Sequence, residues 1–299
     1  MRSCIVLASL LIATACGDDD PGIDPQPDAG ADVDAPVDAD TSPRAVTIQF
    51  QAKVGTADFA CGQTYAGLGA ETTDISPRDF RFYVHDVTLI RDDGARVPLA
   101  LDQDGAWQYQ NVAFLDFEDF TGACQDGTAE TNTSIRGTAP NATYTGVEYT
   151  IGIPAAMNHA DLTTLPSPLN VTGLWWSWRS GHIFLAAVTH AEITTPTPGT
   201  NDHYFHLGSI GCTGEPAMGQ TATCTKPNRP LIQLSGFDPL TQPIIADFGA
   251  LFPKANLATS VGCHSFTQDP CAWPFDFVGL NWFTGSQTPS TQKLFRTAL

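Results

Sequence analysis

The chain has 299 residues and a formal net charge of −18 at pH 7. This excess of negative charge argues against a nucleic-acid partner, because the phosphate backbone carries the same sign of charge. Its 26 glycines and 22 prolines are typical of a protein built from short strands and many turns.

The first segment is typical of an export signal. An apolar run at 5–15 is too short to span a bilayer and stops at Cys16. The small residues before this cysteine resemble a bacterial lipobox, and Gly17 follows it where an inner-membrane protein would carry aspartate. We therefore expect residues 1–15 to be a lipoprotein signal peptide and Cys16 to carry the lipid anchor, most simply in the outer membrane, facing the periplasm or the cell surface. An ordinary signal peptide cut at the same point is the alternative.

Residues 16–43 are predicted to be a lipid-anchored tether. The segment consists almost wholly of aspartate, alanine, proline, glycine and valine, with nine aspartates and no aromatic residue. Such a composition buries too little apolar surface to offset the entropy of ordering, so we expect a disordered acidic linker with a reach of about 30 Å. The aspartates could also be read as a cation site, but a solvated spacer explains them more simply.

The remaining residues, 44–299, suit one large β-rich domain. They hold six cysteines, an even number that in an exported chain indicates three disulfides. Proximity in sequence favours Cys212–Cys224 and Cys263–Cys271, which leaves Cys61–Cys124, although six cysteines allow 15 pairings.

Period-two alternation of apolar residues predicts strands along the whole domain. The fold class expected is therefore all-β, a single domain resembling an antiparallel β-sandwich with long loops. A short helix is predicted at 243–251. The alternating sets are Val46, Ile48, Phe50 and Ala52; Phe80, Phe82 and Val84; Val147, Tyr149, Ile151 and Ile153; Leu174, Trp176 and Trp178; and His182, Phe184, Ala186 and Val188.

The common catalytic motifs are absent from the sequence, which contains no GxSxG, HExxH, P-loop or GxGxxG. We assign no catalytic residue and expect a protein that is not an enzyme. A secreted hydrolase that uses Asp116, Glu118 or Asp119 with a histidine stays open as a minor alternative.

Two features rise above this background. The first is the run Trp175-Trp176-Ser177-Trp178, in which alternation predicts that Trp176 and Trp178 share one face of a strand. The second is a set of seven histidines, because two or three converging imidazoles make a metal site. The histidines are His85, His159, His182, His190, His203, His206 and His264.

Nine stretches in order give the sequence a resemblance to a known family. They include NHAD at 158–161, the Trp-x-Trp at 176–178 and FHLGSIGC at 205–212, and the others lie at 50–55, 59–62, 79–87, 107–108, 111–119 and 224–229. Together with the cysteines, they resemble the MbnP-like copper-binding proteins, the four-Cys proteins of the metallo-mystery pair system. The resemblance covers nearly all of the predicted domain.

The resemblance implies a function. In MbnP-like proteins the first tryptophan of Trp-x-Trp, here Trp176, is oxidised to kynurenine and this is needed for Cu(I) binding. The oxidant is ascribed to an MbnH-like partner, a dihaem protein of the cytochrome c peroxidase and MauG type; this chain lacks the CxxCH haem motif. The family stretches make His159 and His206 the expected copper ligands beside Trp176, with His85 as the reserve.

The expected function is thus that of an exported copper(I)-binding lipoprotein in copper homeostasis. A cell-surface β-sandwich module that binds carbohydrate or protein without a metal is the alternative. It would use Trp175, Trp176 and Trp178 as a stacking platform and would present them to solvent.

Overall fold

Strands dominate the computed structural model of the chain. The structure describes residues 42–193, 201–258, 262–266 and 269–298. The predicted signal peptide, Cys16 and all but the last two residues of the predicted tether lie outside the described residues. Within these ranges, no helix has the length and apolar character needed to cross a bilayer.

The strands and helices are short, apart from three long central strands. In chain order the strands are β1 Pro43–Val54, β2 Ala57–Asp58, β3 Tyr65–Leu68, β4 Thr73–Arg91, β5 Arg96–Pro98, β6 Ala100–Leu101, β7 Gln108–Tyr109, β8 Val112–Asp116, β9 Ser134–Pro140, β10 Tyr144–Ile151, β11 Trp175–Ser177, β12 Gly181–Ala191, β13 Asp202–Gly208, β14 Ile210–Thr213, β15 Thr223–Lys226, β16 Leu231–Ser235, β17 Ile244–Asp247 and β18 Phe295–Thr297. The α-helices are α1 Ala155–Asn158 and α2 Ala272–Phe277, and 3-10 turns lie at Thr172–Leu174, Pro216–Met218, Phe248–Leu251 and Pro289–Thr291.

Within the described ranges the strands form three sheets. One has six strands in the order β18-β17-β1-β9-β6, with β2 on β1. The second has ten strands, ordered β11-β12-β4-β10-β16 with β13 on β12, β3, β5 and β8 on β4, and β7 on β8. The third is the hairpin β14-β15. Most pairs are antiparallel, but β1 and β17 run parallel.

The two large sheets pack face to face through aromatic side chains. The rings of Phe50 on β1 and Phe295 on β18, in one sheet, contact the rings of Phe82 on β4 and Tyr149 on β10, in the other, with centroids 5.4–6.1 Å apart. All four side chains are buried, and burial of one such ring contributes about 1.5–3 kcal/mol. The predicted β-sandwich-like, all-β fold is confirmed.

The predicted helix at 243–251 is wrong in its first half. Residues Ile244–Asp247 form strand β17, which pairs with Phe50–Lys53 of β1 on one side and with β18 on the other. Only Phe248–Leu251 turns, as a single 3-10 helix. A short apolar run has no periodicity that separates a helix from a buried strand, and here the pairing partners decide.

The three disulfides pair as predicted: Cys61–Cys124, Cys212–Cys224 and Cys263–Cys271. The first joins two loops beside the start of β4. The second crosses the β14-β15 hairpin, in which the two cysteines are directly opposite each other. The third holds the segment after residue 262 against the start of α2.

Candidate metal centre

The segment 262–266 is held against β13 by backbone hydrogen bonds. The amide of His206 donates to the carbonyl of Cys263 at 2.7 Å, and the amide of Cys263 donates to the carbonyl of Tyr204 at 2.8 Å. Phe205 and Cys263 form a parallel bridge. Since the Cys263–Cys271 disulfide fixes the same segment, the next residue, His264, is placed beside β13.

This arrangement brings two imidazoles together. The Nδ1 atoms of His206 and His264 lie 3.1 Å apart, and the ring centroids are 5.0 Å apart. The ring of Tyr204 packs on both, at 5.4 Å from His206 and 5.2 Å from His264. One Nδ1–H donating to the other nitrogen holds the pair together when no ion is bound.

Both imidazoles are held neutral. Burial lowers the pKa of His206 to about 3, and repulsion by His264 and by the buried Arg81 adds to the effect. Burial also lowers the pKa of His264, partly opposed by Asp269. At neutral pH each ring therefore carries one nitrogen lone pair, which is the form of histidine that binds metals.

Trp176 packs on the two segments that carry these imidazoles. Its ring lies on the backbone of Gly208, where a Cβ atom would overlap Trp176 Cζ3, and it packs on Phe266 with centroids 5.4 Å apart. Gly208 is two residues after His206 on β13, so both face the same side of the strand. Phe266 is two residues after His264. Trp176 thus contacts the same two segments that carry the imidazoles.

Ser265 locks the two segments in register. Its hydroxyl donates to the carbonyl of His206 at 2.8 Å and accepts from the amide of Gly208 at 3.1 Å. The side chain is fully buried. Ser265 therefore fixes the position of segment 262–266 relative to β13.

The pair would fit a metal ion after a small movement and after the proton shared between the two Nδ1 atoms has moved to an Nε2 atom. Imidazole nitrogens bind metals at about 2 Å, so two nitrogens on one ion lie roughly 3.3–4 Å apart. The observed 3.1 Å between the two Nδ1 atoms is a few tenths of an ångström short of that range. A small rotation of either ring makes the space for an ion that suits neutral nitrogen donors.

Comparisons with known proteins assign the chain to a family. The sequence profile of the MbnP family matches residues 43–265. The chain belongs to the MbnP family. Among solved structures it is similar to MbnP from Methylosinus trichosporium, with a TM-score of 0.78 and 28% identity over 86% of this chain and 100% of that chain. No curated protein sequence matches it significantly.

The match confirms the resemblance found in the sequence. Membership of the MbnP family indicates a metal-binding protein, with copper the metal of that system. In the metallo-mystery pair system the family is associated with an MbnH partner, and the family relationship together with the three disulfides indicates export.

Among the predicted ligands of this MbnP-family protein, Trp176 packs on β13, the strand that carries His206. His159 has other neighbours. Its Nδ1 lies 3.1 Å from the carbonyl of Trp178, and its Nε2 lies 3.0 Å from Asn158 Nδ2 and 3.4 Å from Cys224 Sγ. Its role as a copper ligand stays a prediction.

The reserve ligand, His85, is buried on β4. Its Nδ1 lies 2.7 Å from Asp86 Oδ2, and its Nε2 has no hydrogen-bond partner among the described residues. Burial lowers its pKa. No hydrogen bond or ring contact within the described part of the chain joins it to Trp176, His206 or His264.

His264 is the residue that sequence reasoning missed. It belonged to the set of seven histidines, but no family stretch singled it out. Its position directly after Cys263 was the available signal, because a disulfide cysteine fixes its neighbour. The bridge between Phe205 and Cys263 joins positions 58 apart in sequence, which no local pattern reveals.

The tryptophans do not alternate as predicted. Strand β11 ends at Ser177, and Trp178 begins a turn. Trp178 packs edge-on against Trp175 with centroids 6.0 Å apart, whereas Trp176 packs on Phe266. The expectation that Trp176 and Trp178 share a face is wrong, because the strand is too short for alternation to reach residue 178. All three rings are half-buried, so they do not form an open platform.

The three carboxylates considered for a hydrolase lie in different surroundings. Asp116 lines a cavity of about 260 Å³ together with Arg81, whereas Asp119 lines a different one. Glu118 is fully buried, and burial raises the pKa of both Asp116 and Glu118 to about 7. Arg81 is occupied by two 2.7 Å hydrogen bonds to the carboxylate of Asp79. Within the described part of the chain, Asp116 and Asp119 thus line separate cavities, and Glu118 lines neither of these two.

Proposed function

We propose that this MbnP-family protein is an exported Cu(I)-binding lipoprotein, not an enzyme, whose site consists of residue 176 as kynurenine with His206 and His264. The observation that carries the proposal is the pair of neutral imidazoles on the two segments against which Trp176 packs. His264 replaces His159 in the ligand set predicted from sequence, because it is the imidazole in contact with His206.

The tryptophan requires chemical change before it can bind a metal. An indole N–H is a donor only, since its lone pair belongs to the ring system. Cleavage of the bond between C2 and C3 of the five-membered ring gives a ketone and an aromatic amine, whose lone pair is free. Two equivalents of hydrogen peroxide supply the four-electron oxidation, and C2 leaves as formic acid with one molecule of water. The chain has no CxxCH haem motif, so an MbnH-like dihaem partner would provide this step.

Two neutral imidazoles and an aromatic amine make a site of three uncharged nitrogen donors. Imidazole nitrogens are among the donors that suit copper, and the absence of a charged ligand favours a singly charged ion over a doubly charged one. The partial burial of Trp176 and His206 limits access of water. We therefore assign the site to Cu(I) and place the protein in copper homeostasis.

The anchor serves to keep this domain near a membrane. Acylation of Cys16, with an outer-membrane location, would hold the copper site at the end of the predicted tether, residues 16–43, within reach of an exported haem protein. Incorporation of a labelled fatty acid that is lost in Cys16→Ser tests this part of the proposal. Label retained in the variant would reject the anchor.

The test of the site is co-expression with the dihaem partner, followed by peptide mass analysis and Cu(I) competition titration. Oxidation adds about 4 Da to the peptide that contains residue 176, because one carbon is replaced by one oxygen. We expect one Cu(I) per chain, lost in Trp176→Phe and weakened at least about tenfold in His206→Ala and His264→Ala.

The matched control is His190→Ala, which removes a half-exposed histidine paired with Asp202. It should leave Cu(I) affinity unchanged. His159→Ala separates the two ligand sets: unchanged affinity supports His264 as the ligand, whereas a loss in His159→Ala with none in His264→Ala would restore the set predicted from sequence.

A further inference from the structure

A second group of potential metal ligands consists of residues other than the His206–His264 pair. Within the described residues, His159, Cys212 and Cys224 place one ligand atom each within 4.8 Å of one another. The two cysteines are joined as a disulfide, which offers no thiolate to a metal. Reduction would turn the same three side chains into two soft sulfur donors and one imidazole.

The imidazole is already oriented for this purpose. A carbonyl oxygen only accepts, so the contact between His159 and the carbonyl of Trp178 puts the proton on Nδ1. Asn158 Oδ1 accepts from the amide of His182 at 3.0 Å, so its Nδ2 faces His159 and donates to Nε2. The Nε2 lone pair therefore points toward Asn158 Nδ2 and Cys224 Sγ.

Such a bond from Nδ1–H to a backbone carbonyl is the outer contact that metal-bound histidines usually make. To bind an ion, His159 Nε2 has to exchange its hydrogen bond from Asn158 for the metal. The movement required is small, because Cys224 Sγ is already 3.4 Å from Nε2.

This disulfide is also the accessible one. Cys212 and Cys224 are half-buried, whereas the other four cysteines of the domain are at most 2% exposed. Cys212 lines a cavity of about 200 Å³ together with Arg179 and Phe266. A dithiol reductant can thus reach this bond first, since exchange requires direct attack on a sulfur atom.

We propose that Cys212, Cys224 and His159 form a second, redox-gated site for Cu(I), which opens when a dithiol reduces the Cys212–Cys224 disulfide. The dithiol transfers two electrons and two protons, becomes a disulfide and leaves two cysteine thiols. Binding of Cu(I) then releases both thiol protons and gives a complex of two thiolates and one imidazole. Thiolates are the protein ligands that suit Cu(I) best.

The fold can tolerate this reduction. The disulfide closes only the β14-β15 hairpin, and its two cysteines are 12 residues apart. Its two cysteines lie outside the two larger sheets and take no part in the two buried disulfides. The oxidised protein therefore lacks the second site and the reduced protein has it within the same domain.

The test uses the mature chain produced without the haem partner. Residue 176 is then unmodified tryptophan, so the kynurenine-dependent site is not built and the two proposals fail independently. The protein is titrated with Cu(I) against a chromophoric chelator, before and after treatment with a phosphine reductant. Alkylation and mass analysis identify which cysteines have been reduced.

We expect reduction to add one bound Cu(I) per chain, with labelling of Cys212 and Cys224 alone. His159→Asn should weaken this binding at least about tenfold, because loss of outer contacts alone costs about 10–100-fold. His190→Asn is the matched control and should bind as the wild type does. No gain of copper on reduction, or equal affinity in His159→Asn, would overturn the proposal.

A second variant avoids the reductant. Cys212→Ser leaves Cys224 as a free thiol 3.4 Å from His159 Nε2 while the other disulfides stay closed. It should bind one Cu(I) more weakly than the reduced wild type, and the double variant with His159→Asn should bind none. If reduction of the wild type also opens the buried disulfides, this pair of variants decides the question.

Discussion

Trp176 lies so close to Gly208 that a single Cβ atom at residue 208 would overlap the indole ring and would come within 3.0 Å of the carbonyl oxygen of His182. Glycine at this position therefore makes room for the ring that the proposed chemistry modifies. It also ties the tryptophan to β13, which carries His206 two residues earlier.

Gly208→Ala should move the ring of Trp176 off β13. We expect a loss of about 1–3 kcal/mol in the free energy of unfolding, as for other overpacked sites, and a changed tryptophan fluorescence spectrum. In protein whose residue 176 has been converted to kynurenine, the substitution should also weaken Cu(I) binding. Denaturant titration and the emission spectrum measure these effects.

Gly62→Ala is the matched control for this substitution. A Cβ atom there would meet Thr121 Oγ1 at 4.0 Å, an ordinary contact, so stability and copper affinity should stay close to those of the wild type. If Gly208→Ala behaved like Gly62→Ala, the close packing of Trp176 on β13 would be contradicted.

The buried carboxyl group of Asp116 should make stability fall as pH rises. Its pKa is raised by burial to about 7, from an ordinary value near 4, so the folded state binds its proton more tightly than the unfolded state. The stability that this proton supports is present below about pH 4 and is lost as pH rises to about 7. His206 acts in the opposite direction, because its lowered pKa of about 3 makes stability fall as pH drops below about 6.5.

Asp116→Asn removes the first of these two effects and keeps the oxygen that accepts from the amide of Glu118. We expect the variant to gain stability relative to the wild type between about pH 5 and pH 8, by at most a few kcal/mol at about 1.4 kcal/mol per pKa unit. Glu118→Gln should act in the same direction, since the pKa of Glu118 is also raised to about 7. A difference in the free energy of unfolding between variant and wild type that is the same at every pH would contradict the prediction.

The disulfides should differ in their contribution to stability. Cys61 and Cys124 are 63 residues apart, and Cys212 and Cys224 are 12 apart. Loop entropy gives a loss of about 4 kcal/mol on removal of the first and about 3 kcal/mol on removal of the second. Midpoints of denaturant unfolding for the two double alanine variants measure this order. A larger loss at the hairpin than at Cys61–Cys124 would show that the hairpin does more than close a short loop.

Much of the fold follows from the sequence because alternation reports which side of a strand is buried. Val46, Ile48, Phe50 and Ala52 are all buried on β1, as predicted. The parallel pairing of Phe50 with Ile244 was not predictable, since it joins positions 194 apart and depends on the packing of the two sheets. Because of this pairing, residues 244–247, which were predicted as part of a helix, form strand β17.

The candidate site also combines residues that the sequence can identify with residues that it cannot. Trp176 and His206 could be singled out from sequence because short stretches around them resemble the family. His264 could not, because its placement depends on a backbone bridge between distant segments. The bond between Cys212 and Cys224 could be predicted from proximity, but the position of His159 Nε2 beside it could not.

The location of the copper ion tests the central claim most directly. The measurement is a crystal structure of the Cu(I)-loaded protein after conversion of residue 176 to kynurenine, with anomalous data collected at the copper edge. We expect a peak bonded to the Nδ1 atoms of His206 and His264 and to the amine of residue 176 in its kynurenine form. A peak at His85 or His159 instead, or an intact Trp176 beside bound copper, would contradict it.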